Sequence, residues 1–136
     1  MSNSVTFQTL EEGPRNIIVK AAGVLDTSDY ALNTFISMAA SNQGGKGPVP
    51  TQVRIDHIDY SISDQLEVQL WWDATSDVII LPLAGRGRMS FWNFGGLVNN
   101  SGAGKTGDVL IKTTGWTSGI QVFSVILECV KQGPDL

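Results

Sequence analysis

Short segments in which apolar and polar residues alternate fill most of this sequence, and Gly, Asn, Asp and Pro separate them. The clearest is LEVQLWWD, in which Leu66 and every second residue up to Trp72 are apolar. The opposite face carries Glu67, Gln69, Trp71 and Asp73. Such alternation indicates a half-buried β-strand, because successive side chains of a strand point to opposite faces. β-structure is therefore the main constraint on the fold.

Further strands are predicted along the whole chain. They lie in SVTFQTL, NIIVKAA, VRIDHIDYSI, DVIILPL, GDVLIKTT and IQVFSVILECV, with RMSFWNF as a shorter candidate. The segment IQVFSVILECV is apolar on both faces and is expected to be a central strand. The segment LDTSDYALNTFISMAA has features of both helix and strand. Its β-branched and aromatic residues favour a loop followed by a strand from about Asn33 to Met38.

The set of strands and the lack of a convincing amphipathic helix predict the fold class. Residues 1–136 are expected to form one all-β domain, an antiparallel β-sandwich of the jelly-roll kind, with a closed β-barrel as the alternative. A chain of 136 residues suits a single domain. The segment SNQGGKGPVPT, at about 41–51, is expected to be a flexible loop because it is rich in Gly and Pro.

Composition and charge narrow the range of partners. Charged residues make up 16% of the chain, below the usual quarter, which favours a surface partly covered by another protein. The net charge is −4 and the nine basic residues are scattered, so nucleic-acid binding is not expected. No apolar run approaches a membrane span and no secretory signal is visible. We therefore expect a soluble protein made in a reducing cytosol, with its only cysteine, Cys129, as a buried thiol.

The segment NNSGAGKTGD, residues 99–108, contains the GKT that ends a nucleotide-binding P-loop. The first glycine of that motif is missing, because Asn99 stands at its position. The following GDVLIKTTG predicts a strand and not the helix whose N-terminus would hold a phosphate. We expect a glycine-rich connection between strands in which Lys105 faces solvent. Positive φ angles are expected at Gly102, Gly104 and Gly107.

His57 is the only histidine of the chain. Strand alternation places it on the same face as Val53, Ile55 and Asp59, opposite Asp56, and we expect it to bond a neighbouring carboxylate. No G-x-S-x-G is present to supply a strained serine nucleophile. The histidine therefore predicts structure rather than catalysis.

Four aspartates flank short polar turns, and we expect their carboxylates to bond their own backbone. They are Asp26, Asp29, Asp73 and Asp77. A weak, loop-built calcium site is the alternative, because the spacing of a helical calcium loop is absent. One histidine and one cysteine are too few for zinc. We expect no catalytic residue, no metal and no cofactor.

The four tryptophans are the most informative side chains, and we take Trp71, Trp72, Trp92 and Trp116 as interface candidates. Trp71 and Trp72 are adjacent in a strand and must point to opposite faces. One is expected to fill the core, while the other faces outwards or meets another sheet or subunit. Exposed tryptophan is a frequent hot spot of protein contacts, and its ring also stacks on sugars.

A series of motifs, namely WWDAT, LPLAG, FGGLVNN and GKTGDVLIKTTG, follows an isoleucine-rich strand between about Val53 and Lys131. In this pattern the chain resembles small virion structural proteins of tailed bacteriophages, of the capsid decoration or cement type. The resemblance implies a non-enzymatic β-sandwich, often trimeric, that is made in the host cytoplasm and located in the virion. Its implied partners are the major capsid protein and further copies of itself, without nucleic acid or membrane. A neck or tail virion protein and a carbohydrate-binding β-sandwich are the alternatives.

Overall fold

The computed structural model describes residues 3–13, 15–39, 41 and 50–132. Nine strands occur in this part of the chain: β1 (Ser4–Glu12), β2 (Asn16–Leu25), β3 (Asn33–Ile36), β4 (Gln52–Ile62), β5 (Glu67–Trp72), β6 (Val78–Leu83), β7 (Arg86–Ser90), β8 (Val109–Thr114) and β9 (Gln121–Gln132). A short 3-10 turn, Trp92–Phe94, follows β7. Apart from residues 41, 50 and 51, the loop predicted at about 41–51 lies outside the described residues.

The strands pair in a nested order. β2 pairs with β9, β3 with β8, β4 with β7 and β5 with β6, all antiparallel. The chain from β2 to β9 is thus one long hairpin, rolled into two sheets with the orders β1-β2-β9-β4-β7 and β3-β8-β5-β6. This nesting is a jelly roll, with β1 added outside β2. The predicted β-sandwich is confirmed, and the alternative of a closed barrel is wrong because the described strands form two open sheets.

The core lies between the two sheets and is built from alternate residues of each strand. In β5 and the residue before it, Leu66, Val68, Leu70 and Trp72 are buried, as the alternation predicts. β9 pairs with both β2 and β4, so it is the central strand expected from its apolar sequence. Each fully buried aliphatic side chain contributes about 1.5–3 kcal/mol to stability. The core is therefore the main source of rigidity for any surface that the sandwich presents.

A β-bulge in β4 changes one prediction. The pairing of β4 with β9 shifts between Ile55 and His57, so Asp56 is an extra residue in β4. A bulge reverses the face to which later side chains point, and the buried residues of β4 accordingly change from odd to even positions. His57 lies on the outer face with Asp59, and its predicted place beside the buried Val53 and Ile55 is wrong.

Two other segments differ in length from their predictions. The strand expected from Asn33 to Met38 is present but ends at Ile36. The candidate strand RMSFWNF ends at Ser90, and the chain then turns through Trp92–Phe94. The turn forms because Gly95 follows it at a φ of 93°, a left-handed conformation that glycine adopts readily.

Candidate functional site

The glycine-rich segment 99–108 connects the turn after β7 to β8. A strand begins at Val109, as predicted, so the segment is not followed by a helix. Lys105 is exposed, and its Nζ donates to Gln52 Oε1 at 2.8 Å. Thr106 Oγ1 donates to Asp73 Oδ2 at 2.8 Å. The three predicted positive φ angles are confirmed at Gly102 (82°), Gly104 (74°) and Gly107 (91°). These contacts give the segment an architectural role at the entrance to β8.

His57 lies on the outer face of the five-stranded sheet. Its Nδ1 is 2.9 Å from Ser90 Oγ of the neighbouring β7. The expected bond to a carboxylate is therefore wrong, because the bulge at Asp56 turns the ring towards β7. Within the described residues this histidine–serine pair has no third group bonded to the imidazole, which a catalytic triad requires.

Arg88 forms the main ionic cluster of the same outer face. Its Nη1 donates to Asp59 Oδ2 at 2.5 Å and to Glu128 Oε2 at 2.9 Å. The hydrogen bond to Glu128 is the largest cause of the raised pKa of this guanidinium, and the charges of both carboxylates add to it. Arg88 is itself exposed, so the cluster links β7, β4 and β9 at the surface without a large gain in stability.

The turn aspartates behave differently from one another. Asp77 accepts a bond from the backbone N of Ala74 at 3.0 Å, as predicted for a turn. Asp29 instead accepts bonds from Thr113 Oγ1 and from the backbone N of Trp116, and so ties distant segments together. The carboxylates of Asp26 and Asp73 instead accept hydrogen bonds from the hydroxyls of Thr27 and Thr106. The prediction is therefore right for Asp77 and wrong for Asp29, Asp26 and Asp73.

Cys129 is buried in β9, as expected. Burial raises the pKa of its thiol far above the usual value, and the nearby charges of Asp56 and Glu128 raise it further. A thiol that stays protonated is a poor nucleophile and a poor metal ligand. Among the described residues, no group of three or more His, Cys, Asp or Glu side chains is arranged to hold a metal ion.

The four tryptophans occupy four different environments. Trp72 is 2% exposed and belongs to the core, whereas Trp71 lies on the outer face of the four-stranded sheet, which confirms that the pair points to opposite faces. Trp116 packs partly against the core, and its Nε1 donates to Gly119 O at 3.0 Å. Trp92 is 63% exposed. Burial removes Trp72 from the surface, so three of the four candidates remain available to a partner.

The most exposed aromatic side chains share one feature, which we call the aromatic turn, residues 91–98. Trp92 and Phe94 are 63% and 65% exposed. The rings of Phe91 and Phe94 meet edge to face, with their centroids 6.1 Å apart. Phe94 was not among the interface residues predicted from the sequence, because the segment around it resembles a strand. The double glycine that follows, Gly95-Gly96, was the available sign of a turn.

Backbone hydrogen bonds hold both ends of the aromatic turn against β4. The N–H of Phe91 donates to Asp56 O at 2.7 Å. Leu97 and Ile55 exchange two bonds, of 2.8 and 3.0 Å, as an isolated antiparallel bridge. Gly96 is buried there, and a Cβ at this position would meet Asp56 Oδ1 and Ile55 O. The exposed rings are therefore carried on a fixed backbone.

A shallow groove runs between the aromatic turn and β6. It has a volume of about 360 Å³ and is lined by Trp72, residues 78–80, residues 96–98 and Asn100. Ile79 on one wall is 41% exposed, and Val98 on the other is 51% exposed. The groove thus places exposed apolar side chains from the turn and from the edge strand β6 side by side.

A second aromatic surface surrounds Trp71. Its Nε1 donates to Gln69 Oε1 at 3.2 Å, and Gln69 Nε2 donates to Glu67 Oε1 at 3.3 Å. Glu67 also accepts a bond from Thr114 Oγ1 at 2.7 Å. The Nζ of Lys112 lies 5.9 Å from the centre of the Trp71 ring. One aromatic ring and a row of hydrogen-bonding groups therefore lie side by side on this outer sheet face.

No protein-family model matches the sequence, and no curated protein matches it. In the described part of the chain, no helix is long and apolar enough to span a membrane.

Proposed function

We propose that the protein is a non-enzymatic virion structural protein of the capsid decoration type, which binds the head of a tailed bacteriophage and also associates with itself. The aromatic turn carries this proposal. Trp92 and Phe94 are each exposed by nearly two-thirds, and the backbone beneath them is fixed by its bonds to β4. Rigid, exposed aromatic side chains are typical hot spots of protein interfaces.

The physical advantage of such a turn is preorganisation. Full burial of a Trp or Phe side chain covers ~150–250 Å², and nearly two-thirds of each of these two side chains is still open to a partner. Because the turn is already ordered, little conformational freedom is lost when a partner covers it. A protein that must bind many equivalent positions on a shell gains from this, since avidity multiplies a modest affinity at each contact.

The fold and the composition agree with this setting. Jelly rolls recur in viral capsid proteins and in lectins, although a shared fold is only an analogy for function. The low charged fraction, 16%, suits a surface that is partly covered in an assembly. The aromatic turn also lies within Val53 to Lys131, the part of the chain that resembles capsid decoration proteins.

The proposal is tested with head shells of the encoding phage that lack this protein. Purified protein should sediment with the shells and should saturate at a fixed number of copies per shell. Absence of binding to shells would refute it. Labelling of the protein in intact particles separates the head from the alternative positions at the neck or tail.

A carbohydrate-binding module is the second candidate, and the surface around Trp71 favours it. Sugars are bound by an aromatic ring beside hydrogen-bonding side chains, and Gln69, Glu67 and Lys112 supply such groups there. If this candidate is right, wild-type protein binds a defined class of glycan on an array and Trp71→Ala abolishes the signal. Trp92→Ala is the matched control and should leave it unchanged. An array without signal would eliminate the candidate.

A further inference from the structure

In the part of the chain that the structure describes, the two sheets present four strand edges, β1, β7, β3 and β6. These edges differ in how well they are protected against pairing with another strand. Free edges are usually protected by charges, proline, bulges or short length. β7 carries Arg86 and Arg88, β3 has only four residues, and β6 has a register shift near Ile80 and a proline at Pro82. β1 has none of these devices between Ser4 and Thr9.

β1 is also unusual in its burial. None of its nine residues is buried, although it contains Val5, Phe7 and Leu10. Phe7 is 38% exposed and Leu10 is 46% exposed. The first register shift in β1 comes after Thr9, so the stretch before it is a regular, uncharged strand.

Both ends of β1 are held in place by side chains. Asn3 Oδ1 accepts bonds from the backbone N of Asp26 and of Thr27, at 2.9 and 3.1 Å. At the other end, Glu12 forms an ion pair with the buried Lys131, with 2.8 Å between Oε2 and Nζ. The middle of the strand is thereby kept extended, with one row of backbone groups paired to β2 and the other row at the sheet edge.

We propose that a second copy of this chain docks on this edge, so that the two β1 strands pair antiparallel about a two-fold axis. The sheet β1-β2-β9-β4-β7 then continues from one copy into the other as ten strands. This pairing would be the structural basis of the self-association that belongs to the proposed function, and in that respect the inference rests on the proposed function. The interaction is made in solution and requires no head shell.

The side chains of β1 match a second copy of themselves. With the two-fold axis perpendicular to the sheet, residues directly opposite each other point to the same face. When Thr6 lies at the axis, Val5 of each copy stands opposite Phe7 of the other, which forms two apolar cross-strand pairs on the inner face. No charge occurs from Ser4 to Thr9, so the close approach brings no like charges together, even though each chain carries a net charge of −4.

The size of the contact sets its strength. Two paired edge strands cover a narrow strip, and the exposed Phe7 and Leu10 of β1 add only part of their surface. A standard interface covers ~800 Å² on each partner. We therefore expect a dimer that dissociates in the micromolar range and that is favoured where copies are already held close together on an assembly.

The experiment is sedimentation velocity over a concentration series, with the variant Thr6→Lys and the control Ser61→Lys. Both residues are exposed, and Ser61 lies in β4, an internal strand of the same sheet. Two lysines at the two-fold axis repel each other, so Thr6→Lys should raise the dissociation constant at least ~10-fold, while Ser61→Lys leaves it unchanged. Circular dichroism checks that both variants fold.

Hydrogen exchange supplies a second measurement without any variant. The backbone amides of β1 should exchange more slowly as the protein concentration rises, and those of β3 should not change. A monomer at all concentrations, a trimer, or a dimer insensitive to Thr6→Lys would each overturn the inference. A dimer that fails to bind head shells would refute the proposed function and leave the strand pairing intact.

Discussion

Single residues decide how the loops of this sandwich can approach the sheets. Gly102 and Gly107 have similar positive φ angles, 82° and 91°, but different surroundings. A Cβ at Gly102 would meet no atom within 4 Å, whereas a Cβ at Gly107 would collide with the carbonyl oxygen of Thr51 and with Met38. The first glycine is needed for its backbone conformation alone, and the second is needed for both conformation and space.

This difference predicts unequal effects of the same substitution. Gly102→Ala should lower the free energy of unfolding by about 1 kcal/mol, the usual cost of a side chain at positive φ. Gly107→Ala should lower it by roughly 3 kcal/mol, since overpacking against backbone adds about 1–3 kcal/mol. Urea denaturation measures both values, and equal losses would show that the Thr51 carbonyl does not restrict the site.

Residue-level predictions from sequence succeed where the chemistry is local. The positive φ angles of the glycine-rich segment follow from residue type. The hydrogen-bond partner of His57 does not follow from residue type. It depends on the β-bulge at Asp56, and no local feature of the sequence predicts that bulge. The exposure of Phe94 was not predicted either, because a segment of so few residues with several aromatic side chains can form a strand or a turn.

Among the strands, β5 shows most clearly how the alternation of apolar and polar residues determines which side chains are buried. Its apolar face, which ends at Trp72, is buried, and its polar face with Trp71 is outside. The strands were predictable because a period of two extends over six or more residues in most of them. The bulge in β4 was not predictable, because it depends on pairing with a strand distant in sequence, whereas the turn after β7 had the double glycine Gly95-Gly96 as its local sign.

The two adjacent tryptophans of β5 should therefore respond differently to truncation. Trp72→Ala should cost about 3–5 kcal/mol of unfolding free energy, because it leaves a cavity in the core. Trp71→Ala should cost less than half of that, since its ring is partly solvated and its polar contacts, with Gln69 and Lys112, lie on the outer face. Thermal or urea unfolding of both variants measures the difference, and a similar loss for both would contradict the assignment of faces.

At the scale of the whole molecule, the nested pairing of strands could not be read from the sequence. The pairing of β2 with β9 joins residues that are 96 to 114 positions apart, and local sequence patterns do not specify it. The composition nevertheless anticipated that apolar surface would remain uncovered. The structure divides that surface among separate places, of which the aromatic turn and the edge of β1 are the most distinct.

The position of these two surfaces allows them to act together. The aromatic turn follows β7, at one edge of the five-stranded sheet, and β1 forms the opposite edge. A copy bound to a shell through the turn would keep β1 free for a neighbouring copy. Two small contacts of this kind reinforce each other on a symmetric surface, because each raises the effective concentration for the other.

The role of the aromatic turn is decided by attachment to head shells, in which the double variant Trp92→Ala/Phe94→Ala is compared with the control Ile120→Ala/Val122→Ala. The control residues are also apolar and exposed, by 59% and 48%, but lie at β9. All four residues are exposed, so both variants should fold as the wild type does. The aromatic double variant should lose at least ~2 kcal/mol of binding free energy, the value of a hot spot, while the control should bind as the wild type does. Equal binding of the two variants would contradict that role.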